Sequence, residues 1–227
     1  MEAQIIALNI ALPEKLDYRD REVITGIRKS PVHESLPLRR EGVEGDGQGD
    51  LVHHGGRDKA LCVYPYGHYS YWEKELQQPL PYGAFGENLT LRGLDEQSVC
   101  IGDIFRLGSA LVQISQPRQP CFKLSVRYGR TDMPLLMQRS GFTGWYFRVL
   151  EEGNIEAPSP LPLVERPYPA WPVAEANRIM HGDPGDLEGA AGLLEVPALS
   201  VSWRKTLENR LAGSRPDSDA RLYGSSS

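Results

Sequence analysis

The alternation of hydrophobic and polar positions predicts a body built of short β-strands. The chain contains 23 glycines and 18 prolines. Along the first 165 positions these residues separate short runs rich in Val, Ile, Leu, Tyr and Phe, which is typical of strands joined by turns. The runs that predict strands are 4–10, 22–28, 60–64, 88–91, 104–107, 110–115 and 144–150. Many short strands with a few inserted helices predict a closed or folded-over β-barrel.

Helical periodicity interrupts this pattern and then replaces it towards the C-terminus. Within the β-rich part, helices are predicted at 65–76, 121–128 and 133–139. A stiff, proline-set linker begins at residue 165. Beyond the linker, helices are predicted at 173–180, 187–194 and 200–211.

These patterns predict a mainly β fold with helices. Residues 1–164 are predicted to form the β-barrel domain, and 165–212 a small three-helix bundle. The bundle should bury one apolar face, either internally or against the barrel, formed by Val173, Ile179, Leu193, Trp203 and Leu207. Residues 213–227 are polar and predict a disordered tail.

Composition narrows the function classes. The 227 residues fit one large domain or a domain with a small appendage. With 25 Lys and Arg against 30 Asp and Glu, the net charge is −5, which argues against a general nucleic-acid or anionic-membrane binder. No stretch approaches the roughly 20 apolar residues of a membrane span. Three cysteines without close pairs favour a reducing compartment, so we expect a cytoplasmic protein, and no pattern indicates its oligomeric state.

The glycine-rich segment 41–50 resembles two binding loops and satisfies neither. Its four carboxylates would repel a phosphate, and its spacing matches no phosphate-loop pattern. Counted as a calcium loop from Glu44, the segment has its glycine at Gly49, but Gly55 stands where a bidentate Glu is required. The chain also lacks the sequence signatures of serine esterases, Cys-x-x-Cys sites and zinc proteases.

Cys121 is the strongest candidate for a chemically active side chain. It follows a predicted strand at the start of a predicted helix, near Arg118 and Lys123, and such surroundings favour a thiolate. Cys62 and Cys100 lie among apolar residues and are interpreted as buried structural thiols. A thiolate at Cys121 has two uses, as a nucleophile or as a ligand for a thiophilic metal.

Three further segments carry polar groups suited to a ligand. Lys29 and Ser30 follow a predicted strand and could hold a phosphate monoester, although a lysine there is commonly surface. Asn88 and Glu87 could recognise the edge of a heterocycle, or could simply shape a turn. His54 could act as a base, or be a loop histidine before two glycines.

Taken together and in order, six segments resemble the MOSC family, named for the C-terminal domain of molybdenum cofactor sulfurases. They are RKSP at 28–31, EGDG at 44–47, HHGG at 53–56 with DK at 58–59, FGENL at 85–89, IGD at 101–103 and QPRQPC at 116–121. The resemblance is strongest to the free-standing YiiM-like bacterial members, which have a three-helix C-terminal appendage, and it spans about residues 4–211.

The resemblance implies a β-barrel fold and binding of the molybdenum cofactor (molybdopterin), whereas pyridoxal phosphate binding is not expected in this chain. Cys121 matches the family's cysteine, which binds molybdenum or carries its sulfur. Lys29 and Ser30 match a pair that holds the cofactor phosphate, with Arg118 assisting, and Asn88 matches a pterin contact. Asp46 and Glu87 are also expected to contact the cofactor, and His54, Asp46 and Glu87 are candidates for relaying protons.

The activity implied by the resemblance is reduction of N-hydroxylated compounds such as hydroxylaminopurine base analogues, a detoxification. No flavin or haem signature is visible, so electrons would come from a separate flavoprotein. Two alternatives remain open. The chain could be a non-enzymatic carrier of the cofactor or of sulfur on Cys121, or a cysteine hydrolase that uses Cys121 and His54.

Overall fold

The computed structural model describes residues 2–50, 55–214 and 218–224. Within them the body is mainly β. Its strands are β1 Gln4–Ile10, β2 Glu14–Tyr18, β3 Arg21–Thr25, β4 Ser30–Val32, β5 Leu36–Arg39, β6 Gly42–Val43, β7 Leu61–Pro65, β8 Leu89–Arg92, β9 Ile104–Leu107, β10 Ala110–Pro117, β11 Trp145–Glu151, β12 Gly153–Ile155, β13 Ser159–Pro160 and β14 Leu163–Glu165. Predicted strands 4–10 and 104–107 match β1 and β9 residue for residue.

The helices lie between strands and after them. They are α1 Tyr69–Leu76, α2 Lys123–Tyr128, α3 Met133–Ser140, α4 Val173–Asn177, α5 Leu187–Leu194, α6 Val201–Leu211 and α7 Asp219–Tyr223. Two short 3₁₀ turns, Arg57–Lys59 and Tyr66–His68, precede β7 and α1, and a π-helical turn, Arg178–Gly182, continues α4. This order confirms the predicted class, a mainly β fold followed by a small helical region.

Most strands join one nine-stranded sheet. Its order is β13-β1-β8-β7-β11-β10-β9-β14, with β4 also paired to β1, while β12-β5-β6 and β2-β3 form two smaller sheets. All pairs are antiparallel except β7 and β8, which run parallel with Val63 opposite Leu89. A parallel pair requires a crossover, and the chain between these strands supplies it as α1.

The C-terminal helices share a core with the main sheet. The five residues predicted to form their apolar face are all buried, in one cluster with sheet residues such as Ile5, Phe105 and Phe147. Burying a side chain of Leu or Phe size stabilises a fold by about 1.5–3 kcal/mol. Backbone hydrogen bonds also cross the junction, from Ser200 to Ser115 (2.9 Å) and from Val173 to Val99 (2.9 Å). Of the two packing modes left open by the sequence, the helices adopt packing against the β body.

The expectation of disorder for 213–227 needs correction where the structure describes that segment. Residues 219–223 form the helix α7, and Leu222 on it is buried. The polar composition suggested a solvated tail, but a single apolar side chain and several hydrogen bonds are enough to dock this short helix against the body.

Candidate functional site

One cleft in the β body is lined by several of the predicted site residues. It encloses about 550 Å³, including open solvent at its mouth. Four of the predicted site residues line it: Lys29, Asn88, Arg118 and Cys121. Lys59, Lys123, Cys62 and Tyr146 line it as well. Four cationic side chains in one cleft make it suited to an anionic ligand.

Lys29 is held on the cleft wall by Asp46, which lies just after β6. Lys29 Nζ binds Asp46 Oδ1, and the exposed fractions of the two side chains are 6% and 2%. The backbone amide of Ala11 also donates to Asp46 Oδ1 (2.9 Å). Asp46 is therefore fully engaged as a counter-ion and acceptor, which makes it a poor proton relay.

Asn88 joins this network because the α1 crossover brings it to the start of β8, beside β7. The Asn88 amide donates to Asp46 Oδ2 (2.8 Å) and to the backbone oxygen of Asn9 (3.3 Å). Asn88 Oδ1 accepts from the backbone amide of Cys62 (3.1 Å). Since a carbonyl oxygen has two lone pairs, one remains for a ligand in the cleft.

Arg118 lies beneath the cleft and is almost fully buried, with 6% of its surface exposed. Its Nη2 donates to the backbone oxygen of Phe85 (2.6 Å). Within the described part of the chain, Nη1 has no hydrogen-bond partner. A buried guanidinium donor of this kind is costly unless it is satisfied, so this atom marks a place for a ligand acceptor.

Cys121 reaches the cleft at the end of the loop between β10 and α2. The helix begins at Lys123, two residues beyond the thiol, and 7% of Cys121 is exposed. Lys59 lies close enough to interact electrostatically with it. Burial lowers the pKa of Lys59, while the proximity of Asp58, Asp50 and Cys121 opposes that shift.

A residue of the C-terminal helix α7 holds the Cys121 loop from both sides. Arg221 Nη1 donates to the backbone oxygen of Pro120, and the backbone oxygen of Arg221 accepts from the amide of Phe122 (2.8 Å). Burial lowers the pKa of Arg221, and the proximity of Cys121 partly offsets this shift. Sequence reasoning missed Arg221, because a lone arginine in a polar segment carries no local signal.

Cys62 was interpreted as a structural thiol, and it is buried, but it also forms part of the cleft wall. On β7 it pairs with Tyr146 of β11, which lines the same cleft. Burial raises the pKa of the Cys62 thiol to about 11 and also raises the pKa of Tyr146. Both groups therefore hold their protons at neutral pH. The sequence did not indicate that these two residues line a cleft, because both lie in apolar runs, and such runs are typical of strands buried on both faces.

Two predicted site residues lie elsewhere. Ser30 is exposed in β4, opposite Ile10, and is not part of the cleft lining. Glu87 is fully buried and accepts hydrogen bonds from its surroundings. Its donors are Tyr69 Oη, Thr90 Oγ1 (3.0 Å) and the amides of Gly83 (3.0 Å) and Phe85 (2.9 Å).

Glu87 thus stabilises the turn whose residues Phe85 and Gly86 form a cleft wall, and it does not itself line the cleft. The interpretation as turn chemistry, which the sequence left open, is the one the structure supports. His54 falls outside the described residues, so its expected role as a base stays a prediction.

The cysteines are thiols and not disulfides. Over the residues that the structure describes, there is no cluster of three or more His, Cys, Asp or Glu side chains able to hold a metal. Nor does any helix of the described part combine the length and apolar character needed to cross a membrane.

Comparison with known proteins decides the family. The model described as "MOSC domain" matches residues 50–161, and the one described as "YiiM-like, 3-alpha helix domain" matches residues 171–213. "Uncharacterized protein YflK" of Bacillus subtilis is 50% identical over 200 residues, which cover 88% of this chain and 90% of that protein. This chain belongs to the MOSC family.

Two further relatives extend this placement. "Protein YiiM" of Escherichia coli is 42% identical over 204 residues, covering 88% of this MOSC chain and 91% of that protein. A crystal structure of YiiM from Escherichia coli superimposes with a TM-score of 0.82 at 36% identity, covering 98% of this chain and 99% of that one. The resemblance found in the six sequence segments is thereby confirmed.

A more distant relative is a Gibberella moniliformis protein named "Reductase". It is 38% identical over 149 residues, which cover 63% of this MOSC chain and 26% of that longer protein. MOSC membership together with this relative is compatible with an oxidoreductase.

Proposed function

We propose that this MOSC protein binds the molybdenum cofactor and reduces N-hydroxylated compounds such as hydroxylaminopurine base analogues. One observation carries the proposal: Lys29, Asn88, Arg118 and Cys121, which are distant in sequence, line a single cationic cleft. A phosphorylated, heterocyclic, thiol-binding cofactor needs this combination of groups.

The donor set of the cleft fits an anionic group. Asp46 neutralises Lys29, and Asp50 lies 3.9 Å from Lys123, so the buried guanidinium of Arg118 contributes positive charge that these two carboxylates do not offset. The buried Nη1 of Arg118 lacks an acceptor among the described residues, and a phosphate oxygen would satisfy it. Leaving such a donor unsatisfied costs about 1–3 kcal/mol.

The residues that would hold the cofactor follow from these contacts. Arg118, with Lys29 and Lys59, would bind its phosphate, and the remaining lone pair of Asn88 Oδ1 would accept from the pterin. Cys121 would supply the protein's sulfur ligand. When bound, the cofactor supplies the two-electron chemistry that these side chains lack.

The overall reaction is R–NHOH + 2 e⁻ + 2 H⁺ → R–NH₂ + H₂O, in which the N–O bond breaks and its oxygen leaves as water. A separate flavoprotein would deliver the two electrons. Of the groups expected to relay protons, Asp46 and Glu87 are fully engaged in structural hydrogen bonds. Tyr146 and Cys62 hold protons on the cleft wall and can donate hydrogen bonds to a bound substrate.

The test uses protein made in a host that synthesises the cofactor. Molybdenum content, pterin fluorescence and reduction of 6-hydroxylaminopurine by a reduced flavoprotein are measured for the wild type, Cys121→Ser and Cys100→Ser. Cys100 is the matched control, since it is a buried thiol that does not line the cleft. We expect Cys121→Ser to abolish turnover and Cys100→Ser to retain it.

Two results would contradict the proposal. Wild-type protein that never retains molybdenum or pterin would refute cofactor binding. Protein that retains both, but does not reduce hydroxylaminopurine, would refute the reductase and support the non-enzymatic carrier.

A further inference from the structure

The loop that presents Cys121 offers few backbone hydrogen-bond donors. Pro117 and Pro120 have no amide proton, so two of the five residues from Pro117 to Cys121 offer the loop no backbone donor. The helix that follows, α2, has only six residues. Such a segment needs contacts from outside itself to keep one conformation.

Arg221 supplies these contacts on both flanks of the thiol. Its guanidinium binds the oxygen of Pro120, the residue before Cys121, and its backbone oxygen accepts from the amide of Phe122, the residue after. The peptide groups on either side of Cys121 are thus tied to a single residue, which restricts the direction of the thiol side chain.

The helix that carries Arg221 is itself anchored. Arg221 Nη2 donates to Gln138 Oε1 on α3 (2.7 Å), and the neighbouring Leu222 is 5% exposed. Arg21 of β3 lies over the Phe122 ring, 5.2 Å from its centroid, and packs against Gly224 at the end of α7. α7 therefore packs between β3, α3 and the Cys121 loop.

We infer that Arg221 is a positioning residue for Cys121, and that the C-terminal helix α7 is part of the site rather than a tail. The effect on the thiol stands on geometry alone, whereas any effect on turnover rests on the proposed function. Loss of Arg221 should release the loop and expose Cys121 more often.

The experiment measures alkylation of each cysteine by iodoacetamide at one fixed pH in the full-length chain, with peptide mass spectrometry, and hydrogen exchange of the peptide containing Phe122. The variants are Arg221→Ala, Arg221→Lys and Arg210→Ala. Arg210 is the matched control, because its guanidinium also ties separate segments together by hydrogen bonds, here to the backbone oxygens of Ile179 (2.6 Å) and Met180 (2.8 Å), and it does not line the cleft.

Arg221→Ala removes the two side-chain hydrogen bonds to Pro120 and Gln138, so the alkylation rate of Cys121 should rise by about fivefold to thirtyfold. Exchange at Phe122 should accelerate in parallel, because α7 loses its side-chain anchors and with them the fixed position of the backbone oxygen of residue 221, while Cys62 and Cys100 keep their alkylation rates. Arg221→Lys, which retains one donor for Pro120, should restore part of the wild-type behaviour. Arg210→Ala should lower thermal stability without changing the alkylation rate of Cys121.

A Cys121 rate that is unchanged or lower in Arg221→Ala, or that rises equally in Arg210→Ala, would overturn the inference. Turnover with hydroxylaminopurine separates it from the proposed function. If the alkylation rate of Cys121 rises in Arg221→Ala, but neither the wild type nor any variant reduces hydroxylaminopurine, the positioning role holds and the proposed function fails. If the proteins reduce hydroxylaminopurine but the alkylation rate of Cys121 does not rise in Arg221→Ala, the positioning role fails and the proposed function stands.

Discussion

The side-chain amide of Asn88 donates a 2.8 Å hydrogen bond to the carboxylate of Asp46, across 42 positions of sequence. The same carboxylate binds Lys29, so an amide, a carboxylate and an ammonium form one buried network on the cleft wall. Because each member fixes its neighbour, the cleft is preorganised before any ligand arrives.

Removing one member of the buried ion pair should be costly. Asp46→Ala leaves the Lys29 ammonium without its counter-ion, and breaking such a buried pair from one side costs about 3–5 kcal/mol. Urea denaturation measures the loss. The double variant Lys29→Met/Asp46→Leu should be clearly more stable than Asp46→Ala, and equal stabilities would show that the uncompensated charge is not the cause.

Glu87→Gln should weaken the turn that forms the Phe85 wall. Glu87 accepts from four donors, and an amide group in its place would oppose a donor to at least one of them. We expect a loss of about 1–3 kcal/mol in the free energy of unfolding. Glu73→Gln is the control, since Glu73 is only half-buried and accepts from one amide, that of Leu80; a similar loss there would contradict this account.

Two glycines with nearly the same backbone conformation separate conformational strain from steric clash. Gly141 (φ 72°) has open space where a Cβ would stand, whereas at Gly144 (φ 70°) the Cβ would lie 2.1 Å from the backbone oxygen of Val63. Gly141→Ala should cost about 1 kcal/mol, from the left-handed conformation alone. Gly144→Ala should cost about 3 kcal/mol or more, because β11 must move away from β7. Thermal and urea unfolding of both variants measure the difference, and equal losses would refute the clash.

His181 should make stability depend on pH. Burial, then the charges of Arg221 and Arg210, lowers its pKa to about 3, from an ordinary value of 6.5. Between these values the unfolded chain binds a proton that the folded chain does not. The contribution of His181 is therefore constant above about pH 6.5 and decreases as the pH falls, by about 2 kcal/mol between pH 7 and 5.

His181→Leu removes this titration. The variant should lose less stability than the wild type between pH 7 and 5, as measured by urea denaturation at a series of pH values. Parallel pH profiles for the two proteins would show that folding does not lower the pKa of His181.

Local patterns predicted the elements whose faces are clear in the sequence. β1, β9 and α5 appear with the predicted ends, since each alternates or repeats apolar positions over its whole length. β2, with the sequence EKLDY, was missed because its strand character comes from pairing with β3, which no local pattern shows. α7 was missed because its stability comes from docking, with Leu222 as its one buried residue.

The sequence by itself determined the MOSC resemblance, the mainly β class and the choice of Cys121 as the candidate thiol, because these depend on ordered short motifs and on periodicity. Only the tertiary structure decided that Asn88 and Asp46 brace Lys29, that Glu87 belongs to a turn, and that Cys62, Tyr146 and Arg221 join Cys121. Such contacts connect residues tens of positions apart, and strand register, the α1 crossover and the docking of α7 set them. None of these is encoded in the residues that flank each side chain.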